Sequence, residues 1–252
     1  MIIRFSSLKC FIALLMLCAA ISCKKPSDTT DTQSGKGKIS YFAKAGFANS
    51  KNAKTAIIAD DSVVNSIAVN WTYATVWVEK INFSGSKAGF LDTTVMIERN
   101  LNIFNLDAFA GFIQLPEGSY KDVKVKMFCR KSPKSEFAFD FRGTFTNTSG
   151  ITDSIRVGSS YPFEADVTVT EITMNNNDDY KVTANFNLDK VLAGIKAQSI
   201  EMNVLPHPGK GGSKNYVIWK GGSQDVPFYN QIIQNWQNVT TVNVSKGGVG
   251  MY

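Results

Sequence analysis

A single histidine and four cysteines bound the chemistry open to this chain of 252 residues. His207 is the one imidazole that could act as base for a serine or cysteine nucleophile. It stands between Pro206 and Pro208 in PHPGKGGSKN, where no neighbouring residue would hold it against a reacting proton. An exposed loop is expected there. The run 209–214 has the composition of a phosphate loop but not the glycine-to-GK[ST] spacing of a Walker motif. Cys129 falls on the apolar parity of Val123, Val125 and Met127, the setting of a small buried hydrophobe and not of a nucleophile. Asp178 and Asp179 close the run NNNDD. Such oxygen-rich loops suit calcium, but EF-hand spacing and its distal glutamate are missing, and Asn and Asp are ordinary turn residues. No catalytic residue, metal-ligand set or cofactor motif is assigned, and the chain is read as a non-enzyme.

Cys23 has a different setting. Arg4 and Lys9 precede an apolar run, CFIALLMLCAAIS, over residues 10–22. At 13 residues it falls short of the roughly 20 that a membrane-spanning helix needs, and it has the flanks of a signal-peptide core. It ends in Ala20-Ile21-Ser22-Cys23, which resembles a bacterial lipobox, where a peptidase cuts before a cysteine carrying a diacylglycerol thioether. Cleavage after Ser22 and lipidation of Cys23 are therefore expected, with an ordinary signal-peptidase site at Ser22 as the alternative. Processing discards Cys10 and Cys18 and consumes the Cys23 thiol. Cys129 is then the remaining thiol, and no internal disulfide can form. Residues 24–38, KKPSDTTDTQSGKGK, carry no large apolar side chain and are expected to be a flexible tether. The implied location is the cell envelope, anchored by lipid at the outer membrane. The residues after Cys23 are compatible with either the periplasmic or the exterior face.

The rest of the chain is dominated by a period of two, with Val123, Val125, Met127 and Cys129 alternating with Lys124, Lys126, Phe128 and Arg130. Phe137, Phe139 and Phe141 form a second such series, and Tyr180, Val182, Ala184, Phe186 and Leu188 a third. Turn residues at Ser84-Gly85, Pro116-Glu117-Gly118, Ser149-Gly150 and 175–179 separate the segments. Short strands at this spacing predict an all-β fold, an antiparallel β-sandwich. One or two short helices are predicted near the C-terminus, over 189–196 with Asp189 as cap and over 228–236 after Pro227, followed by a strand over 240–244. Residues 39–252 read as a single sandwich domain, with a loop-strand-helix-strand extension from about 206.

The net charge of +6 is dispersed, without a basic helix or cluster, so a nucleic-acid partner is not expected. Among Trp71, Trp77, Trp219 and Trp236, Trp219 is the candidate for stacking on a sugar ring. It stands in a short segment beside Gly221-Gly222.

Three stretches carry a family resemblance: TYATVWVEKINFSG, NLNIFNLDAFAGFIQLPEGSYKDVKVKMF and VTANFNLDKVLAGI. Their order behind a lipobox and polar tether resembles Bacteroidota cell-envelope lipoproteins with a transthyretin-like (prealbumin-like) β-sandwich. The Leu-Pro-x-Gly-x-Tyr turn at 113–120 and the turn at 188–192 carry it, over roughly residues 65–195. The resemblance implies a fold and a location but no reaction. Fimbrillin-type subunits of similar architecture are matured after an arginine, and here no arginine lies between Cys23 and Arg99. Transthyretin-like hydrolases use several histidines, and this chain has only His207. The function expected is that of a lipid-anchored binding or adhesive module presenting its sandwich to an envelope protein or glycan. The alternative is an accessory or anchor subunit of a fimbria-like envelope assembly.

Overall fold

The structure, a computed structural model, describes residues 35–46, 66–104, 107–130 and 137–247. Ser22, Cys23 and residues 1–34 as a whole lie outside the described residues. Along the chain, β1 (Lys36–Gly46), β2 (Asn70–Ser86), β3 (Phe90–Asn102) and β4 (Ala108–Pro116) come first. They are followed by β5 (Gly118–Cys129), β6 (Phe139–Thr146), β7 (Thr152–Ser159), β8 (Phe163–Met174) and β9 (Asp179–Asn187). The helix α1 (Ala197–Asn203) precedes β10 (His207–Pro208) and β11 (Lys214–Lys220), and α2 (Tyr229–Val239) leads into β12 (Thr240–Lys246).

These strands form two mixed sheets packed as a sandwich. The front sheet has the order β12-β9-β1-β4; the back sheet runs β10-β11-β7-β6-β2-β5-β8, with β3 also on β2. The sandwich read from the alternation is present, but β1 pairs with β9 and β11 with β7 in parallel. Alternation reports which face is buried and carries no information on strand direction.

The long strand β2 organises the back sheet. β3 lies along one edge of it, while β6 pairs with Asn70 to Val76 and β5 with Val78 to Ser86 along the other. β7 and β8 succeed one another beside β6 and β5 in the same way, with Ser159 opposite Phe139 and Phe163 opposite Cys129. β5 and β6 on one arm and β7 and β8 on the other therefore form one long hairpin about the turn between β6 and β7. In β5 the predicted parity holds, with Val123, Val125, Met127 and Cys129 all buried. In β6 the parity also holds, with Phe139 and Phe141 inward and Asp140 and Arg142 outward, although Asp140 is itself buried beneath its arginines; Phe137, predicted in the inner series, lies on the outer face over Gly158.

The inner face of β6 is covered by α2. Trp236 lies against Phe139 with ring centroids 4.5 Å apart and 21° between planes, and against Phe141 at 5.9 Å and 12°. Phe163 meets it edge-on at 4.6 Å. Ile232, one turn before Trp236 on the same helix face, is fully buried. The helix begins at Tyr229, one residue later than the spacing predicts, because Phe228 takes the left-handed conformation at φ 62°.

The helix predicted over 189–196 is replaced by tight turns, and a helix forms instead at Ala197–Asn203. Asn187, not Asp189, supplies the cap, its Oδ1 accepting the Asp189 N–H at 3.2 Å. Gly194, at φ 74°, then turns the chain out of helical geometry. Side chains of α2 take up the freed carbonyls. Asn235 donates to Val191 at 3.2 Å and to Ala193 at 3.0 Å, and Gln231 donates to Ala193 at 3.0 Å.

One boundary also moves. Lys36 to Lys38, assigned to the tether from composition, pair with Pro116 to Gln114 as the start of β1. The segment from about 206 has the expected loop-strand-helix-strand order and is woven into both sheets, β11 pairing with β7 in the back sheet and β12 with β9 in the front sheet.

Burial pushes the Cys129 thiol well above its ordinary pKa, which withholds the reactive thiolate. Iodoacetamide at pH 8 is expected to leave Cys129 unmodified in the native protein and to alkylate it fully in denaturant, as read by peptide mass spectrometry. Rapid native alkylation would contradict this packing.

Candidate functional site

Trp219 leads into a surface that the sequence did not assemble. In β11, Tyr216 and Ile218 turn inward, so Val217 and Trp219 take the outer face. Register places Val217 beside Arg156 and Trp219 beside Gly158 on β7. Arg156 and Gly158 lie opposite Arg142 and Asp140 on β6, which lie opposite Tyr73 and Thr75 on β2. Two adjacent rows therefore cross four strands of the uncovered face. One is Tyr73, Arg142, Arg156 and Val217; the other is Thr75, Asp140, Gly158 and Trp219.

Asp140 ties the rows together. Its carboxylate accepts from Arg142 Nε at 3.1 Å and Nη2 at 2.6 Å, and from Arg156 Nε at 2.8 Å and Nη2 at 3.0 Å. The acid is 4% exposed, while the arginine side chains are 49% and 34% exposed. Each guanidinium also lies over an aromatic ring, Arg142 4.7 Å from the Tyr73 centroid and Arg156 4.4 Å from Phe137. The Phe137 ring occupies the space above Gly158, where a Cβ would come within 2.9 Å of it. Phe137 meets Trp219 at 5.7 Å between centroids. The result is a continuous line, Tyr73, Arg142, Asp140, Arg156, Phe137 and Trp219, in which two cations share one anion. The carboxylate, hydrogen-bonded to Arg142, raises that guanidinium above its ordinary pKa.

Trp219 is not a free-standing platform. Its ring is half-buried against Phe137, a side chain at Gly221 would run into it, and its Nε1 has no hydrogen-bond partner. Of the other tryptophans, Trp71 and Trp236 are in the core and Trp77 is half-buried. Asp140, Arg142 and Arg156 were missed because FDFRG and SIRVG read separately as strands with solvated charges. Only the cross-strand register brings them together.

A second concavity, of about 340 Å³, lies between the start of β8 and the end of α2. Phe163, Glu164, Asp166, Ile233, Trp236 and Thr240 line it. Trp236 Nε1 and Thr240 Oγ1 are buried there without hydrogen-bond partners. Glu164 is paired with Lys126 at 2.8 Å.

The remaining sequence candidates are placed as follows. His207 is exposed and pairs with Asn215 in the two-residue strand β10. Asp178 is paired with Lys246 at 2.7 Å and also accepts the Asn175 N–H at 2.9 Å. Asp179 is paired with Lys38 at 2.8 Å and accepts the Ser40 hydroxyl at 3.0 Å. Both acids are thus occupied by lysines. Among the described residues no group of three or more His, Cys, Asp or Glu could hold a metal ion.

Comparison with protein-family models, curated proteins and solved structures gives no match. The class of protein is defined by its own architecture: a mixed two-sheet β-sandwich with an arginine-aromatic line on the outer face of its back sheet.

Removing the shared carboxylate leaves two guanidiniums facing each other. Asp140→Ala is expected to lower stability by about 1–3 kcal/mol, discounted for the half-exposed arginines. An unchanged urea midpoint would refute the arrangement. At the other end of the molecule, the hydrogen bond from Lys246 is the main cause holding the Asp178 carboxyl below its ordinary pKa. A depressed carboxyl stabilises fully above its unfolded pKa and loses that contribution as pH falls through the folded one. Lys246→Met should therefore lower Tm at pH 7, with the deficit shrinking as pH drops below the ordinary carboxylate range. A deficit constant to pH 2 would contradict the pairing.

Proposed function

We propose that this protein is a non-enzymatic, lipid-anchored cell-envelope binding module, similar in plan to the Bacteroidota lipoproteins that its sequence resembles. The observation that carries the reading is the N-terminal order: a short apolar run, Ala20-Ile21-Ser22-Cys23, a polar stretch, and a sandwich that begins at Lys36. Lipid on Cys23 holds the chain at the outer membrane, because two or more acyl chains make anchoring stable. Among the described residues no helix is long and apolar enough to cross a membrane. The surface offered to an envelope protein or glycan is the line from Tyr73 to Trp219, whose charged groups are fixed in place before any ligand arrives.

A second reading, as an accessory subunit of an envelope assembly, draws on β8. Among the described residues this strand is hydrogen-bonded only to β5, with β12 of the front sheet packed against it, and strand addition along its unpaired edge would be the mode of assembly.

Replacing Cys23 tests the anchor. Wild-type chain expressed in a bacterial host should partition into the membrane fraction and incorporate a labelled fatty acid, and Cys23→Ala should lose both properties. Membrane retention of an unlabelled Cys23→Ala chain would overturn the reading.

A further inference from the structure

We propose that the outer face of β2, β6, β7 and β11 binds an acidic polysaccharide, with Arg142 and Arg156 taking its carboxylates and Tyr73, Phe137 and Trp219 flanking its sugar rings. This rests on the reading of the chain as a binding module and names the ligand class of that face.

The argument begins with charge. Asp140 neutralises one of the two guanidiniums it binds, so the pair keeps one positive charge on a half-exposed surface. Asp140 takes the Nε and Nη2 groups of both arginines, and neither Nη1 has a hydrogen-bond partner among the described residues. Guanidinium donors that remain free beside a fixed fork suit a carboxylate, which arginine binds with directional hydrogen bonds.

Preorganisation is the second element. An arginine on a solvated strand ordinarily loses side-chain freedom when it binds. Here both are already fixed by two hydrogen bonds to a buried acid and by an aromatic ring beneath. The loss on binding is correspondingly small.

Spacing is the third. The rows run across the strands, so successive positions are separated by the interstrand distance of about 4.8 Å. That step is close to the length of one pyranose ring in a linear polysaccharide. A chain lying across the face would meet Tyr73, Arg142, Arg156 and Val217 in successive steps of one row, with Phe137 and Trp219 beside it in the adjacent row. The next row, where the Ser154 hydroxyl bonds Asn215, adds polar groups suited to sugar hydroxyls. A nucleic acid fits less well, since a phosphate backbone needs a broad basic stripe and this face carries its surplus charge at one point.

The test uses the full-length chain in detergent, with polygalacturonate as the acidic probe and dextran as the neutral one, read by affinity electrophoresis and calorimetry. Wild type should bind polygalacturonate, more weakly as salt is raised, and should not bind dextran. Arg142→Gln with Arg156→Gln should weaken binding about tenfold or more, as expected for loss of charge-assisted hydrogen bonds. A control, Lys121→Gln with Lys124→Gln on exposed positions of β5, removes the same charge elsewhere and should change affinity less than about twofold if non-specific attraction is minor. Should the arginine variant fail to fold, Arg142→Lys with Arg156→Lys keeps the charge and removes the fork, and should weaken binding about fivefold. Equal loss from the lysine control would overturn the proposal, as would an affinity unchanged in the arginine variants. Wild type that binds dextran and not polygalacturonate would overturn the acidic class while leaving the binding-module reading intact. The fate of Cys23→Ala in membranes decides that reading separately.

Discussion

The stacking of Trp236 on Phe139 and Phe141 is the contact on which the rest of the architecture depends. The back sheet has more strands than the front sheet can cover. The inner apolar side chains of β6, β7 and β11, including Ile155, Val157, Tyr216 and Ile218, therefore need another layer. The turns and α1 over 188–204, together with α2, supply it, with Leu192, Ile200, Ile232 and Trp236 joining the same core. Burying an aromatic side chain of this size is worth several kcal/mol, beyond any single hydrogen bond nearby. Because this helical layer lies on the inner face, the outer face of the same strands stays uncovered. That is where the arginine-aromatic line is built.

The line is a specific arrangement more than a stabilising one. Taking Asp140 out of water opposes folding, and two half-exposed arginines recover only part of that cost through screened attraction. Its geometry is nevertheless closely determined. Gly158 leaves room for Phe137, Phe137 supports Arg156, and Arg156 and Arg142 close on one carboxylate. Each position depends on a neighbour from a different strand, so the arrangement exists only when all four strands are in register.

That dependence separates what the sequence discloses from what it conceals. Val123 to Cys129 alternate cleanly because one side of the strand meets the core and the other meets water, and Val182, Ala184 and Phe186 keep the predicted inward parity although Thr183 between them is also buried. Their assignment follows from period alone. The parallel pairings of β1 and β11 were hidden because a strand presents the same alternation whichever way its neighbour runs. The helix over 189–196 was misplaced for another reason. DKVLAGIK has helical composition, yet Gly194 and the amides of Gln231 and Asn235, far along the chain, favour turns there. Asp140 looked like an ordinary solvated strand residue because both of its partners are set by register. Trp219, the candidate for sugar stacking, lies on the outer face of β11, and its partner Phe137 could not be read from the sequence around it.

The placement of β1 has a mechanical consequence. The described chain enters beside the turns at Glu117 and Asn177, whereas the Tyr73–Trp219 line lies beyond the opposite end of β5, roughly 40 Å away at the usual strand rise. A load applied between the N-terminus and that line therefore runs along the axis of β1. Within the front sheet β1 is clamped by β4 on one side and by β9 on the other. Hydrogen bonds set crosswise to such a pull resist together, in shear, instead of opening one after another like a zipper. The sandwich is built to stay folded when pulled from its first strand.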